Sequence, residues 1–172
     1  VVEPKNQRLF IWNLTVISAM LGKDLVFKAK NDALVVILSE VVEILLSYRQ
    51  LANNSLESAG VIIGERRGMH LVIRTVSVPS DADIRTRFEV NRIGKHHQDK
   101  VNTAFRESGG TWQYLGEWHT HPENVPSPSI TDYSSWNKNL RSPDPLILII
   151  VGRTKWWVGK KKNQEIHVLE QI

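Results

Sequence analysis

Cysteine is absent from the sequence. Disulfide staples and thiolate metal sites are therefore excluded, any bound metal must use nitrogen and oxygen donors, and a reducing compartment such as the cytoplasm is expected. Long apolar runs are missing too: the longest, Ala33 to Leu38 and Leu146 to Val151, are six residues each, against roughly 20 needed to cross a bilayer. No membrane-spanning segment is expected. Internal repeats and low-complexity tracts are also lacking. The net charge is only +4, much of the excess sitting in Lys155 and Lys160 to Lys162, near an expected strand turn. This basic run is read as a solvated hairpin tip, and with no stacking motif beside it a nucleic-acid partner is not expected.

What remains is the balance of a folded protein: 172 residues, 41% hydrophobic and 23% charged, enough for one domain with one sizeable core. Residues 1 to 19 stand apart, because Met20 offers a natural start. Their basic beginning, apolar middle and Ser18-Ala19 end faintly resemble a secretory signal, but Asn13 interrupts a short apolar stretch and export is not expected. The chain is accordingly divided into an appended segment, 1 to 19, and a domain, 20 to 172.

Within the domain, LVVILS (34 to 39) suits a buried strand, and EVVEILLSYRQLA places Val41, Ile44, Leu45 and Tyr48 on one helical face. GVIIGERRGMHLVIRTVSV reads as two strands joined by a turn through Glu65 to Gly68. Residues 80 to 95 are irregular, and Lys95 to Ser108 has helical character that ends before Gly109 and Gly110. TWQYLGEWHTH is a strand, LILIIV a buried one, and KWWVGKKKNQEIHVLEQI supplies further antiparallel strands. The expected class is α/β: a sandwich with a mixed central sheet flanked by helices.

The chemistry concentrates in GEWHTHPENVPSPSITD. On a strand, His119 and His121 point to the same side, since successive side chains alternate faces. Pro122, Pro126 and Pro128 then shape a loop, after which SITDYSSW can open a helix with Ser129 and Asp132 neighbours on its first turn. Two imidazoles and one carboxylate are the protein donors of a catalytic zinc site that keeps a fourth position for water. Read separately, Ser129 and Asp132 also form a near capping box, and a His-x-His pair is also an ordinary surface feature of a strand.

Joined as His-x-His-Pro followed by Pro-Ser-x-x-Asp, the pattern resembles the JAMM motif of the JAB/MPN metalloprotease family, in its prokaryotic branch, over about Leu34 to Trp157. The resemblance implies a JAB/MPN (cytidine-deaminase-like) sandwich. It also implies a glutamate upstream in a Glu-x-x-Gly segment, matched by Glu57-Ser-Ala-Gly60-Val-Ile-Ile-Gly64 with Ala59 where some relatives have glycine. His119, His121 and Asp132 would then hold Zn2+, Glu57 would act as base and then acid, and Ser129 would stabilise the oxyanion. Glu117, on the strand face of His119, is a weaker candidate for orienting that imidazole. His70, His96, His97 and His167 are read as ordinary histidines, none having a partner at a ligand-like spacing.

The resemblance implies a stand-alone isopeptidase that cuts the amide after the C-terminal residue of a conjugated protein. Similar deconjugases accompany the CBASS antiphage signalling operons of bacteria, where the target is a cyclic-nucleotide synthase of the CD-NTase type. A processing protease for ubiquitin-like sulfur-carrier proteins and a non-catalytic MPN scaffold are the alternatives. In the first setting residues 1 to 19 would mimic the carboxyl tail of a target.

Overall fold

In the computed structural model of the protein, residues 22–172 are described; the segment 1 to 19 set apart above lies outside them. The described strands are β1 (Leu25–Lys28), β2 (Leu34–Ile37), β3 (Ala59–Arg67), β4 (His70–Val76), β5 (Ile84–Arg85), β6 (Val90–Asn91), β7 (Gln113–Thr120), β8 (Leu146–Val151), β9 (Trp156–Lys162), β10 (Glu165–Val168) and β11 (Glu170–Gln171). The helices are α1 (Ser39–Ser47), α2 (His96–Glu107) and α3 (Ile130–Asn139). Nine strands form one sheet in the order β10-β9-β8-β7-β3-β4-β2-β1-β11, and β5 and β6 pair as a separate small hairpin. The sheet is mixed as expected: β2 runs parallel to β4 and β7 parallel to β8, and the remaining pairs are antiparallel.

Helices cover both faces. On one, Ile62, Leu115, Trp118, Ile147 and Ile149 pack with Val41, Val42, Leu45 and Leu46 of α1. On the other, Val61 and Ile63 meet Ala104 of α2, while Leu148 and Ile150 meet Trp136 of α3 and Leu140. All six residues of β8 are buried, which is why LILIIV carries no alternation: a strand covered on both faces has no polar side.

Several expectations need correction. Helix α1 ends at Ser47 instead of running to residue 52, and its core face is Val41, Val42, Leu45 and Leu46, with Ile44 and Tyr48 only half-buried. The β3–β4 connection is Gly68 and Met69, not Glu65 to Gly68. Strand β1 and the β5–β6 hairpin were not foreseen, the hairpin lying in the stretch read as irregular. Lys161 is not a solvated tip residue: it is buried, and its ammonium donates to the carbonyl of Asn163. No described helix is long and apolar enough to cross a membrane.

One irregularity decides where β7 points its side chains. Opposite β3, Gly116 pairs with Ile62 while Tyr114 pairs with Ile63, so Leu115 is an extra residue bulged into β7. The bulge shifts the alternation by one step: Leu115 and Trp118 both enter the α1 face, and Tyr114 and His119 both lie on the α2/α3 side, where Tyr114 packs with Val61 and Ile63 and His119 approaches Trp136. Gly116 makes the kink with φ +145°, and an added Cβ there would stand 1.8 Å from the carbonyl oxygen of Ile147. Gly116→Ala is therefore expected to cost about 3 kcal/mol or more in stability, read as a lowered midpoint in urea denaturation.

Candidate metal centre

Strand β7 delivers His119 at its C-terminal end, and the chain stays extended for one further residue because the N–H of His121 donates to the carbonyl of Val151 on β8 at 3.1 Å. Both imidazoles thus face the same side. The loop from 121 to 129 returns the chain over the ends of the parallel strands β7 and β8, and α3 begins there, bringing its first turn onto the histidines. Crevices outside the carboxyl ends of parallel strands are where such sheets place their ligands.

Four candidate donor atoms on three side chains lie close together. His119 Nε2 lies 3.1 Å from His121 Nε2, His119 Nε2 lies 3.2 Å from Asp132 Oδ1, and His121 Nε2 lies 3.4 Å from Asp132 Oδ2. Ligands arranged tetrahedrally at about 2.05 Å from one ion stand roughly 3.3 Å from each other. The two separations from His119 Nε2, to His121 Nε2 and to Asp132 Oδ1, match that spacing, and the three residues form a group able to hold a metal.

Asp132 serves the helix as well. Ser129 is the N-cap of α3: its Oγ accepts from the Asp132 N–H at 3.1 Å, and Asp132 Oδ2 accepts from the Ser129 N–H at 2.6 Å, a complete capping box. The Ser129 hydroxyl hydrogen is directed to the same Oδ2 at 2.7 Å. Cap and ligand, the two readings of Ser-x-x-Asp, are compatible: the box loads Oδ2 and leaves Oδ1 toward His119.

Glu57 enters from a distant part of the chain through strand pairing. Ala59 pairs with His119, and the pairing continues one residue outward, where the Thr120 N–H donates to Ser58 O at 2.9 Å and the Ser58 N–H donates to Thr120 Oγ1 at 3.0 Å. One step further, Glu57 stands opposite His121 on the same face. Gly60 permits this close approach, because a Cβ there would lie 2.0 Å from the Ser77 carbonyl and 2.5 Å from the Trp118 indole nitrogen.

The electrostatics suit a cation. Burial drives the Glu57 carboxyl upward to about 7, against the pull of the His121 charge and with further upward pressure from Asp132 and Glu89. Asp132 moves the other way: burial opposes ionisation, but His119, His121 and the Ser129 hydroxyl outweigh it and hold the carboxyl far below the usual range. Burial disfavours the charged form of His121, yet Asp132 and Glu57 prevail and raise its pKa.

Three residues near the site carried little or no sequence signal. Glu123 Oε2 lies 3.7 Å from His121 Nδ1, on the side of the ring away from Asp132. Arg85 Nε donates to the Glu57 carbonyl at 2.7 Å, and the Thr86 carbonyl accepts from the Glu57 N–H at 2.7 Å, so the β5 hairpin grips the backbone of Glu57. Glu117 does not orient His119; it is paired with Arg92.

A second cluster, Asp83, His96 and His97, shows why proximity alone does not make a metal site. Ser77 Oγ accepts from the Val61 N–H at 2.8 Å and lies 2.6 Å from His97 Nδ1, to which it donates when Nε2 of the neutral ring carries the proton toward Asp83. His97 Nε2–H then donates to Asp83 Oδ2 at 3.1 Å, and Asp83 also accepts from the N–H groups of Ser80 and Gly94. His96 Nε2–H donates to Val78 O at 2.8 Å and its Nδ1 faces Ser80 Oγ. The lone pairs that would ligate are committed to the protein. Burial lowers the pKa of His97 despite the pull of Asp83, in keeping with a neutral ring. His97 is thus more than the ordinary histidine expected from sequence spacing: it is a buried strut joining α2 to β4 and β3.

Among folds with a mixed sheet and a His-x-His, Ser-x-x-Asp centre, the chain falls in the JAB class. Residues 39–166 match the family of prokaryotic homologs of the JAB domain, and the chain belongs to that family. It is 55% identical over 149 residues to the CD-NTase/cGAS isopeptidase of Vibrio cholerae serotype O1, covering 87% of this chain and 96% of the relative. It is 50% identical over 148 residues to the CD-NTase/cGAS isopeptidase of Escherichia coli strain TW11681, covering 86% and 95%. The solution structure of protein DSY2949 from Desulfitobacterium hafniense shares the fold, with a TM-score of 0.52 at 19% identity over 77% of this chain and 87% of the other.

The contrast between the clusters is testable. His97→Leu leaves the Ser77 hydroxyl and the Asp83 carboxylate buried without their partner, and is expected to destabilise the fold by about 3 kcal/mol. Divalent-ion uptake, measured by equilibrium dialysis of the folded variant, is expected to be unchanged.

Proposed function

We propose that the protein is a zinc-dependent isopeptidase that hydrolyses the amide after the C-terminal residue of a conjugated protein, and that the conjugated protein is a nucleotidyltransferase of the CD-NTase type. The observation that carries this reading is the meeting of His119, His121 and Asp132, whose Nε2 and carboxylate oxygen atoms lie 3.1 to 3.4 Å apart, beside the buried Glu57. The relatives at 55% and 50% identity are CD-NTase/cGAS isopeptidases, which supports the same reaction and substrate here. The assembled set speaks against a scaffold that has lost its chemistry.

His119, His121 and Asp132 would hold the ion through nitrogen and oxygen alone. Zinc, when bound, polarises water and lowers its pKa toward about 7. Glu57, buried opposite His121 with a carboxyl near neutrality, accepts the proton of the attacking water and returns it to the departing amine. Ser129 donates its hydroxyl to the oxygen that becomes negative in the tetrahedral intermediate, turning away from Asp132 Oδ2 to do so. The Ser129 N–H, which donates to the same Oδ2, keeps the Asp132 carboxylate in place during that rotation.

Glu57→Gln separates chemistry from stability. Turnover of a Gly- or Ala-ended conjugate is expected to fall by about a thousandfold or more, and unchanged turnover would reject Glu57 as the base. The same variant should be more stable than the parent without metal. The carboxyl ionises near 4.5 when exposed but near 7 when folded, so the parent loses stability as pH rises across that window. The advantage of the variant should grow over the same range, to on the order of 2 kcal/mol, in denaturation curves taken with chelator.

Two further changes test the metal and the oxyanion donor. Chelated protein should be inactive and recover with about one equivalent of zinc. Ser129→Ala should retain zinc while losing about a hundredfold in kcat; a variant that keeps full kcat removes Ser129 from the mechanism.

A further inference from the structure

Gln50 lies just beyond α1 and is completely buried, yet it belongs to no apolar cluster. Every hydrogen-bonding group of its side-chain amide is used. Oε1 accepts the Thr120 hydroxyl at 2.9 Å, and Nε2 donates to the carbonyls of Arg87 at 2.7 Å and Ser55 at 3.2 Å. The opposite orientation of the amide would set its oxygen against two carbonyls, so the orientation is determined. The backbone is tied as well, Gln50 O accepting from Arg153 Nε at 2.9 Å.

These bonds close a ring around Glu57. Gln50 takes the Thr120 hydroxyl hydrogen, which leaves Thr120 Oγ1 to accept from the Ser58 N–H at 3.0 Å. Ser58 follows Glu57, whose own N–H donates to Thr86 O at 2.7 Å. Thr86 precedes Arg87, whose carbonyl returns the ring to Gln50. Thr120 stands between His119 and His121, so one amide joins the strand bearing the two imidazoles to the segment bearing the carboxylate and to the turn of the β5–β6 hairpin. None of these bonds involves a side chain of His119, His121 or Asp132.

We infer that Gln50 is a positioning residue for the reaction proposed above: it sets the Glu57 carboxylate against the metal-ligating strand, and it does so through Thr120 and Ser58. This inference rests on the isopeptidase reading for its kinetic consequence, but its structural consequence is independent of it. A base displaced by about 1 Å loses on the order of a hundredfold in rate while the ion and the substrate bind as before. The loss therefore falls on kcat and not on KM.

The test compares Gln50→Leu, Thr120→Val and the double variant with the parent and with Glu57→Ala. Each single change is expected to lower kcat by about ten- to a hundredfold with KM within about twofold and zinc stoichiometry intact. The double variant should be no slower than the slower single one, because both break the same chain. Without metal, amide hydrogen exchange at Glu57 and Ser58 should be at least about tenfold faster in Gln50→Leu, with Ile149 in the sheet centre unchanged. Should Gln50→Leu fail to fold, Thr120→Val, which keeps the shape of the residue, decides alone. Full kcat, unaltered exchange at Ser58, multiplying losses in the double variant, or zinc and activity lost together would each overturn the positioning role. An active Glu57→Ala would instead overturn the reading of the site on which the kinetic part rests.

Discussion

The orientation of β7 is the constraint on which the rest of this molecule depends. A strand of strict alternation could not send both Leu115 and Trp118 into the α1 face and still turn Tyr114 and His119 to the other. The bulge at Leu115 and Gly116 absorbs the conflict. Past it, His119 and His121 face α3, and the antiparallel partner β3 extends to place Glu57 on that same face. A flat, regular β7 would bury the imidazoles against α1 and leave Asp132 facing indole and aliphatic side chains.

The helix that answers β7 does so with its first turn. The positive end of α3 favours a carboxylate, the Ser129 cap fixes that carboxylate through Oδ2, and the crossover between parallel strands puts the turn directly over the histidines. One residue is thereby shared by local helix capping and by the long-range centre. Glu57 has the reverse circumstances: it is buried without a charge-assisted partner of its own, and its carboxyl is pushed up to about 7. Asp132 is stabilised as a carboxylate by the two imidazoles, whereas burying Glu57 as a carboxylate costs folding free energy.

The two histidine–aspartate clusters obey one accounting rule with opposite results. At Asp83 the N–H groups of Ser80 and Gly94, the Ser77 hydroxyl and the Val78 carbonyl use the available donors and acceptors, and the group acts as a strut. At Asp132 the Nε2 atoms of His119 and His121 approach each other and the carboxylate at ligand-like separations. Satisfied lone pairs build structure, and convergent ones are able to take a ligand. The hydrogen-bonded ring through Gln50 adds a third use of buried polarity, joining strand β7, the segment that carries Glu57 and the hairpin.

From the sequence alone, features with a local cause were legible. The common face of His119 and His121 follows from strand alternation, the helix near 95 to 108 from its composition and its Gly109-Gly110 end, and the burial of LILIIV from its unbroken apolar run. The motif resemblance also singled out Glu57, Ser129 and Asp132, all of which the fold brings to His119 and His121. Features that depend on a distant partner were not legible. The β5–β6 hairpin is anchored by Glu57, Lys161 is buried and donates to the Asn163 carbonyl, Glu117 is claimed by Arg92, and Asp83 reaches His97 across the β5–β6 hairpin. Spacing along a chain encodes neighbours within one element, because backbone geometry repeats there. Which elements meet is decided by packing and hydrogen-bond satisfaction over the whole domain, and only the tertiary structure shows that outcome.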